Sequence, residues 1–229
     1  MKKLSFLFFS FLIIYGISFG NELTKKYDFK DFTEVNVSHG MNVSITQSDS
    51  YSVEVTAEQE DLDNIKIEKD GDALTFSVLK ERYSFKEDVK ITIKMPSLTA
   101  IHLSGGSVGN LTMDVSDKSF STGLSGGSEL KGELKCSNIN FRLSGGSEIT
   151  LKGKGSDAEI SGSGSSTFNL KEFSVRNVNS HLSGGSNAEI TMNGMLNTMQ
   201  SGGSNIVYYG EVDLENTMFS GGSGVEKGE

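Results

Sequence analysis

Asn140-Phe141-Arg142-Leu143-Ser144-Gly145-Gly146-Ser147-Glu148-Ile149-Thr150-Leu151 alternates polar and apolar residues on either side of a Ser-Gly-Gly-Ser centre. Alternation with a period of two is the pattern of a strand with one buried face. A reversal within two residues calls for backbone angles with φ above zero, which glycine reaches without a side-chain clash. The stretch therefore predicts strand, tight glycine turn, strand, with the flanking serines free to bond nearby backbone groups.

The same four residues recur at 104–107, 125–128, 183–186, 201–204 and 220–223, and a degenerate Ser-Gly-Ser-Gly stands at 161–164. Counted between first serines, the intervals are 21, 19, 17, 22, 18 and 19 residues. A repeat near 19 residues signals a solenoid, in which one repeat cannot bury its apolar face alone and the stack supplies the core. The uneven intervals fit an irregular β-helix better than a strict hexapeptide one, with a closed β-sandwich as the competing architecture.

Aligning the copies on the first serine gives columns. The residue before it is Leu103, Leu124, Leu143, Ile160, Leu182, Gln200 or Phe219, apolar in six of seven copies, and is expected to face inward. Two before it stand His102, Gly123, Arg142, Glu159, His181, Met199 and Met218, a mixed column expected to face solvent. His102, Arg142, Glu159 and His181 are accordingly the candidate binding residues. Four before it come Ala100, Ser121, Asn140, Asp157, Asn179, Asn197 and Asn216, suited to a hydrogen-bonded ladder of the kind stacked amides form.

Working outward, residues 21–103 form a strand-rich N-terminal part, with alternation at 35–37, 43–45, 53–55, 65–67, 74–78 and 89–93 and turns at His39-Gly40 and Asp70-Gly71-Asp72. Residues 104–229 form the repeat solenoid, read as continuous with that part in one domain. Only the acidic stretch 58–63 suits a helical turn. At the start, Lys2 and Lys3 precede an apolar run from Leu4 to Phe19, and Ser18 and Gly20 are small residues three and one positions before Asn21. That is the pattern of a secretory signal peptide over 1–20. It implies export to the periplasm, the cell surface or the exterior. No later apolar run reaches the roughly 18 residues of a membrane span.

Composition narrows the chemistry. The whole chain carries 21 basic and 30 acidic side chains, a net −9. Without Lys2 and Lys3 the balance is 19 against 30, or −11. With no basic stripe, nucleic acid is not an expected partner. A single cysteine, Cys136, excludes a disulfide framework within the chain and reads as a small buried hydrophobe. One Cys and three scattered His (His39, His102, His181) make no zinc set, and the positions after the turns lack the Asp that calcium-binding nonapeptide repeats carry. No metal or cofactor is expected. Gly105-Gly106-Ser107-Val108-Gly109 matches a nucleophile-elbow pattern, but no helix follows, so no catalytic residue is assigned. Glu129 and Glu148 are expected on neighbouring coils about 4.8 Å apart, where two carboxylates could serve a polysaccharide-active enzyme.

His39-Gly40-Met41-Asn42-Val43-Ser44-Ile45-Thr46-Gln47, Ile93-Lys94-Met95-Pro96-Ser97-Leu98 and the serial Ser-Gly-Gly turns ending beyond Tyr208-Tyr209-Gly210 together resemble the DUF2807 family of auto-transporter adhesin head GIN domains. The resemblance runs from about Phe29 to Glu229. It implies a pectin-lyase-like superhelix of two sheets joined by Gly-Ser turns, without recognised catalytic residues, and a role in adhesion. The expected function is a secreted, non-enzymatic binding module of the bacterial cell envelope, its partner an unidentified cell-surface glycan or protein. The alternatives are a polysaccharide-active β-helix enzyme and a self-associating structural protein. The enzyme reading requires His102, Arg142, Glu159, Glu129 and Glu148 to converge on one groove.

Overall fold

The computed structural model describes residues 22–80 and 82–229 and the backbone of 13–14. The signal-peptide reading over 1–20 otherwise lies outside the described residues. The chain folds as the expected all-β solenoid. Its described strands form a 12-stranded and a 10-stranded sheet, which the chain visits alternately once per coil. One coil runs through Asn138–Leu143 in the 10-stranded sheet, the turn 144–147, and Glu148–Lys154 in the 12-stranded sheet. It then returns through 155–156 to Asp157–Gly162.

Within the repeats every strand pairs in parallel with its counterpart one coil away. Phe141 is thus opposite Thr122 on one side and Ile160 on the other. Alternation does what the sequence pattern requires: Ile139, Phe141 and Leu143 are buried while Asn138 and Arg142 are exposed. The Phe141 ring packs edge-on against Phe168 and Phe173, with centroids 6.4 and 6.2 Å away, so two sheets share one core.

The N-terminal strands extend both sheets. Asn42–Gln47 pairs in parallel with Val108–Val115, and Glu34–Val37 with Ala100–Leu103. Antiparallel pairs appear only beyond them, as in Glu22–Tyr27 with Ser52–Glu58 and Ile65–Asp70 with Ala73–Val78. Among the described residues one helical turn, Gln59–Leu62, falls where the acidic stretch suggested. Ser38-His39-Gly40-Met41 is a further tight turn, with φ of 61° at His39 and 74° at Gly40. It lies directly beneath the 104–107 turn: Ser104 N donates to Val37 O and Val108 N to Met41 O. The stack of turns therefore begins one coil before the first Ser-Gly-Gly-Ser.

The serine turns form one edge of the solenoid, and the second serine is its fixing point. Ser107, Ser128, Ser147, Ser166, Ser186 and Ser204 are buried, and each Oγ donates to the carbonyl of the serine three residues earlier at 2.8–2.9 Å. Ser147 is typical of them, 1% exposed with its Oγ turned back onto its own turn. The glycines fall into two groups. In the copies at 104, 125 and 144 both have positive φ, whereas in those at 183, 201 and 220 only the first does.

The degenerate copy corrects the alignment. Ser163 N donates to Leu143 O, Ser166 Oγ donates to Ser163 O, and Gly164 has φ of 75°. The fourth turn is therefore Ser163-Gly164-Ser165-Ser166, two residues later than the reading from Ser161. Ser165 is accommodated because the second turn position in this copy does not need positive φ.

Candidate functional site

The realignment changes one candidate residue. A slip of two preserves which face a strand residue occupies, so Glu159 is still exposed, but it lies one column over from its expected place. Register pairs Arg142 with Ser161 and Ser161 with His181, whereas Glu159 pairs with Asn140 and Asn179. Glu159 belongs to the amide ladder instead of Asp157. Asn140 Nδ2 donates to Glu159 Oε2 at 2.7 Å, Asn197 Nδ2 to Asn179 Oδ1 at 3.0 Å, and Asn216 Nδ2 to Asn197 Oδ1 at 2.8 Å.

Next to this ladder, on the outer face of the 10-stranded sheet, the column Asn36, His102, Gly123, Arg142, Ser161, His181, Met199 and Met218 runs along the stack. Three concavities lie along it, of about 450, 330 and 280 Å³. The first is centred on His102, Gly123 and Arg142; the third shares Arg142 and spans Ser161 to His181; the second shares His181 and continues over Met199 and Met218. They follow one another along the column as a shallow furrow, neighbours sharing Arg142 or His181, with the first serines of the turns along one side.

Residue size explains the shape. At Gly123 an added Cβ would meet His102 Nδ1 at 2.4 Å, so the missing side chain is the space into which the imidazole folds. Ser161 leaves a similar dip between Arg142 and His181. Arg142 makes no ion pair among the described residues, unlike Arg176, which holds Asp157 at 3.3 Å. The furrow thus presents an uncommitted guanidinium and two imidazoles at one end and thioethers at the other. His102, Arg142 and His181 are legible in sequence as a column, and the structure adds that Met199 and Met218, both exposed, make its far end apolar.

Glu129 and Glu148 are neighbours as expected, directly paired in register. They stand on the 12-stranded sheet, with the core between them and the furrow. Glu129 is held by Lys131, and Glu148 accepts from Asn169 Nδ2 at 2.8 Å. The five residues named for an enzyme reading therefore do not converge. Among the described residues no group of three or more His, Cys, Asp or Glu could hold a metal, and no helix is long and apolar enough to cross a membrane. Cys136 is buried, and that burial pushes its thiol up to about 12.

Parallel coils of this length, stacked in two sheets, define a β-solenoid of the type seen in crystal structures named as adhesins. The chain belongs to the DUF2807 family, described as "Putative auto-transporter adhesin, head GIN domain", whose profile matches residues 31–211. A structure named as a putative adhesin from Bacteroides fragilis NCTC 9343 superposes with a TM-score of 0.82 at 18% identity, covering 90% of this chain and 96% of that one. A putative adhesin from Parabacteroides merdae ATCC 43184 gives 0.71 at 19% identity, over 92% and 97% of the two chains. A structure from Parabacteroides distasonis ATCC 8503, named as a putative lipid binding protein, gives 0.70 at 16% identity over 92% and 98%. At these identities the likeness is one of fold. No curated protein matches the chain.

Proposed function

We propose that the protein is an exported, non-enzymatic binding module of the bacterial envelope and that the furrow on the 10-stranded sheet is its contact face. The observation that carries this reading is the alignment of three concavities on one outward column, with Arg142 and His181 shared between neighbours. Family membership and the adhesin names of related structures support a binding role. The separation of Glu129 and Glu148 from the furrow supports a non-enzymatic one. The expected partner is a cell-surface glycan or protein. The name of the Parabacteroides distasonis structure brings lipids into the same class of partners, and in this chain Met199 and Met218 are the residues that would meet an apolar group.

The test compares binding of the purified chain to bacterial cells and to a glycan array, with Arg142→Ala/His181→Ala on the furrow and Lys152→Ala/Glu172→Ala on the opposite sheet. Loss of binding in the first pair alone is expected. Equal binding by both pairs would move the contact face elsewhere.

A further inference from the structure

The outward column changes character along the stack, and the change occurs within the furrow. Arg142, Ser161 and His181 occupy three successive coils, then Met199 and Met218 the next two. Outward strand positions are ordinarily polar, so two consecutive exposed methionines are informative: Met199 is 43% and Met218 61% exposed, with Met195 on the same face at 40% and Phe219 next to Met218 at 46%. At roughly 4.8 Å per coil, the apolar segment begins about 5 Å beyond His181 and extends about 5 Å further.

We propose that the furrow binds a single-chain anionic amphiphile as a free molecule, its carboxylate or phosphate at Arg142, Ser161 and His181 and its hydrocarbon chain laid across Met199 and Met218. This rests on the reading of the furrow as the contact face and names the class of ligand it takes.

Charge complementarity selects the head group. Arg142 is exposed and free of any ion pair among the described residues, and the closest acid of the adjacent column, Glu159, is engaged by Asn140. A planar guanidinium matches a carboxylate or phosphate by paired hydrogen bonds, and the imidazole and hydroxyl two and one coils away add donors. Thioethers are flexible and polarisable and adapt to a chain of varying conformation. The width argues for one chain and against a membrane surface. At Met199 the apolar strip is one outward side chain wide, between Asn197 and Ser201; at the last coil Phe219 widens it beside Met218, between Asn216 and Ser220.

Calorimetric titration with dodecanoate below its micelle concentration tests the proposal, with dodecyltrimethylammonium as the cationic control and phosphatidylglycerol vesicles as the membrane control. Saturable binding of one dodecanoate is expected, with none of the cationic control. Arg142→Gln should weaken it about tenfold or more, the factor that loss of a charge-assisted hydrogen bond implies. Met199→Ser/Met218→Ser should weaken it without altering the melting temperature, since both residues are exposed. Absence of saturable binding, or affinity unchanged in these variants, overturns the proposal. Vesicle retention that depends on the same residues overturns the assignment to a free molecule. If dodecanoate fails while Arg142→Ala/His181→Ala still abolishes cell binding, the ligand class is wrong and the contact face stands; if both fail, the face itself is wrong.

Discussion

The His102 imidazole occupies the volume that a side chain at Gly123 would fill, its Nδ1 lying 2.4 Å from where a Cβ would be built. The furrow at this point owes its depth to a glycine that the backbone does not otherwise demand, since Gly123 has no positive φ.

Gly123→Ala should therefore move the His102 ring without harming the fold. Alanine in a strand interior is favoured over glycine by about 0.5–1 kcal/mol, and the group that must yield is the end of a flexible side chain. The expected result is an unchanged or slightly raised melting temperature with displaced His102 ring resonances. A His102 spectrum identical to that of the parent protein would show that the two residues do not interact.

Leu143 and Arg142 test the facing of the column. Leu143 is buried in the shared core and Arg142 is exposed on the furrow. Leu143→Ala should cost about 2–5 kcal/mol through lost burial and a residual cavity. Arg142→Ala should remain within about 0.5 kcal/mol. Denaturant melts ranking them the other way would mean that the strand is displaced by one residue, which exchanges its two faces.

Much of this architecture is legible in sequence because glycine pairs and period-two alternation are local signals. Leu143 inward and Arg142 outward follow directly from them. What escaped has a physical cause in each case. Ser161-Gly162-Ser163-Gly164-Ser165-Ser166 offers two alignments two residues apart, and a period of two cannot distinguish them, so Glu159 was given the place that Ser161 holds. Gly162 then turns out to face inward, where a Cβ would meet the Phe168 ring at 2.7 Å. The turn at His39-Gly40 was legible as a turn, but its place at the start of the serine stack was not, because His39, with φ of 61°, stands where the later copies have their first glycine. Exposure of Met199 and Met218 was legible, since both stand in the column expected to face solvent; that they line one concavity with His181 was not, because side-chain volume along a column is not a local signal.

Cys136 should behave as a core residue. Burial raises its thiol to about 12, so little thiolate is available at neutral or mildly alkaline pH. A thiol reagent at pH 8 should leave the folded protein unmodified and react fully in denaturant. Rapid modification of the native protein would place the thiol at an open surface.

Tyr83 and Asp61 tie the segment after the Ala73–Val78 strand to the helical turn. Tyr83 Oη donates to Asp61 Oδ1 at 2.6 Å, and this bond, ahead of burial and the charge of Asp61, raises the phenol to about 12. Asp61 is buried with its Oδ2 unpartnered, which makes that donor the more consequential. A raised folded-state value means the contact contributes fully below the ordinary phenol range near pH 10 and is lost as pH rises through about 12. Hydrogen exchange at Tyr83–Lys86 should accelerate within that window. Tyr83→Phe should exchange faster already at neutral pH and show no such step; a step that survives the substitution would assign it to another group.

The two kinds of turn make the last prediction. Gly146 has φ of 77° with open space around its missing side chain, whereas Gly185 occupies the same turn position two coils later without positive φ. Steric room is adequate at both, so only backbone conformation separates them. Gly146→Ser should cost about 1–3 kcal/mol from the left-handed conformation, and Gly185→Ser should stay within about 0.5 kcal/mol, as Ser165 already does at that position in its own turn. Ser147→Ala provides the scale: it removes a buried donor from the Ser144 carbonyl, 2.8 Å away, and should cost about 1–3 kcal/mol. Equal melts for Gly146→Ser and Gly185→Ser would remove the distinction between the turn classes. A harmless Ser147→Ala would show that the serine edge is set by the glycines alone.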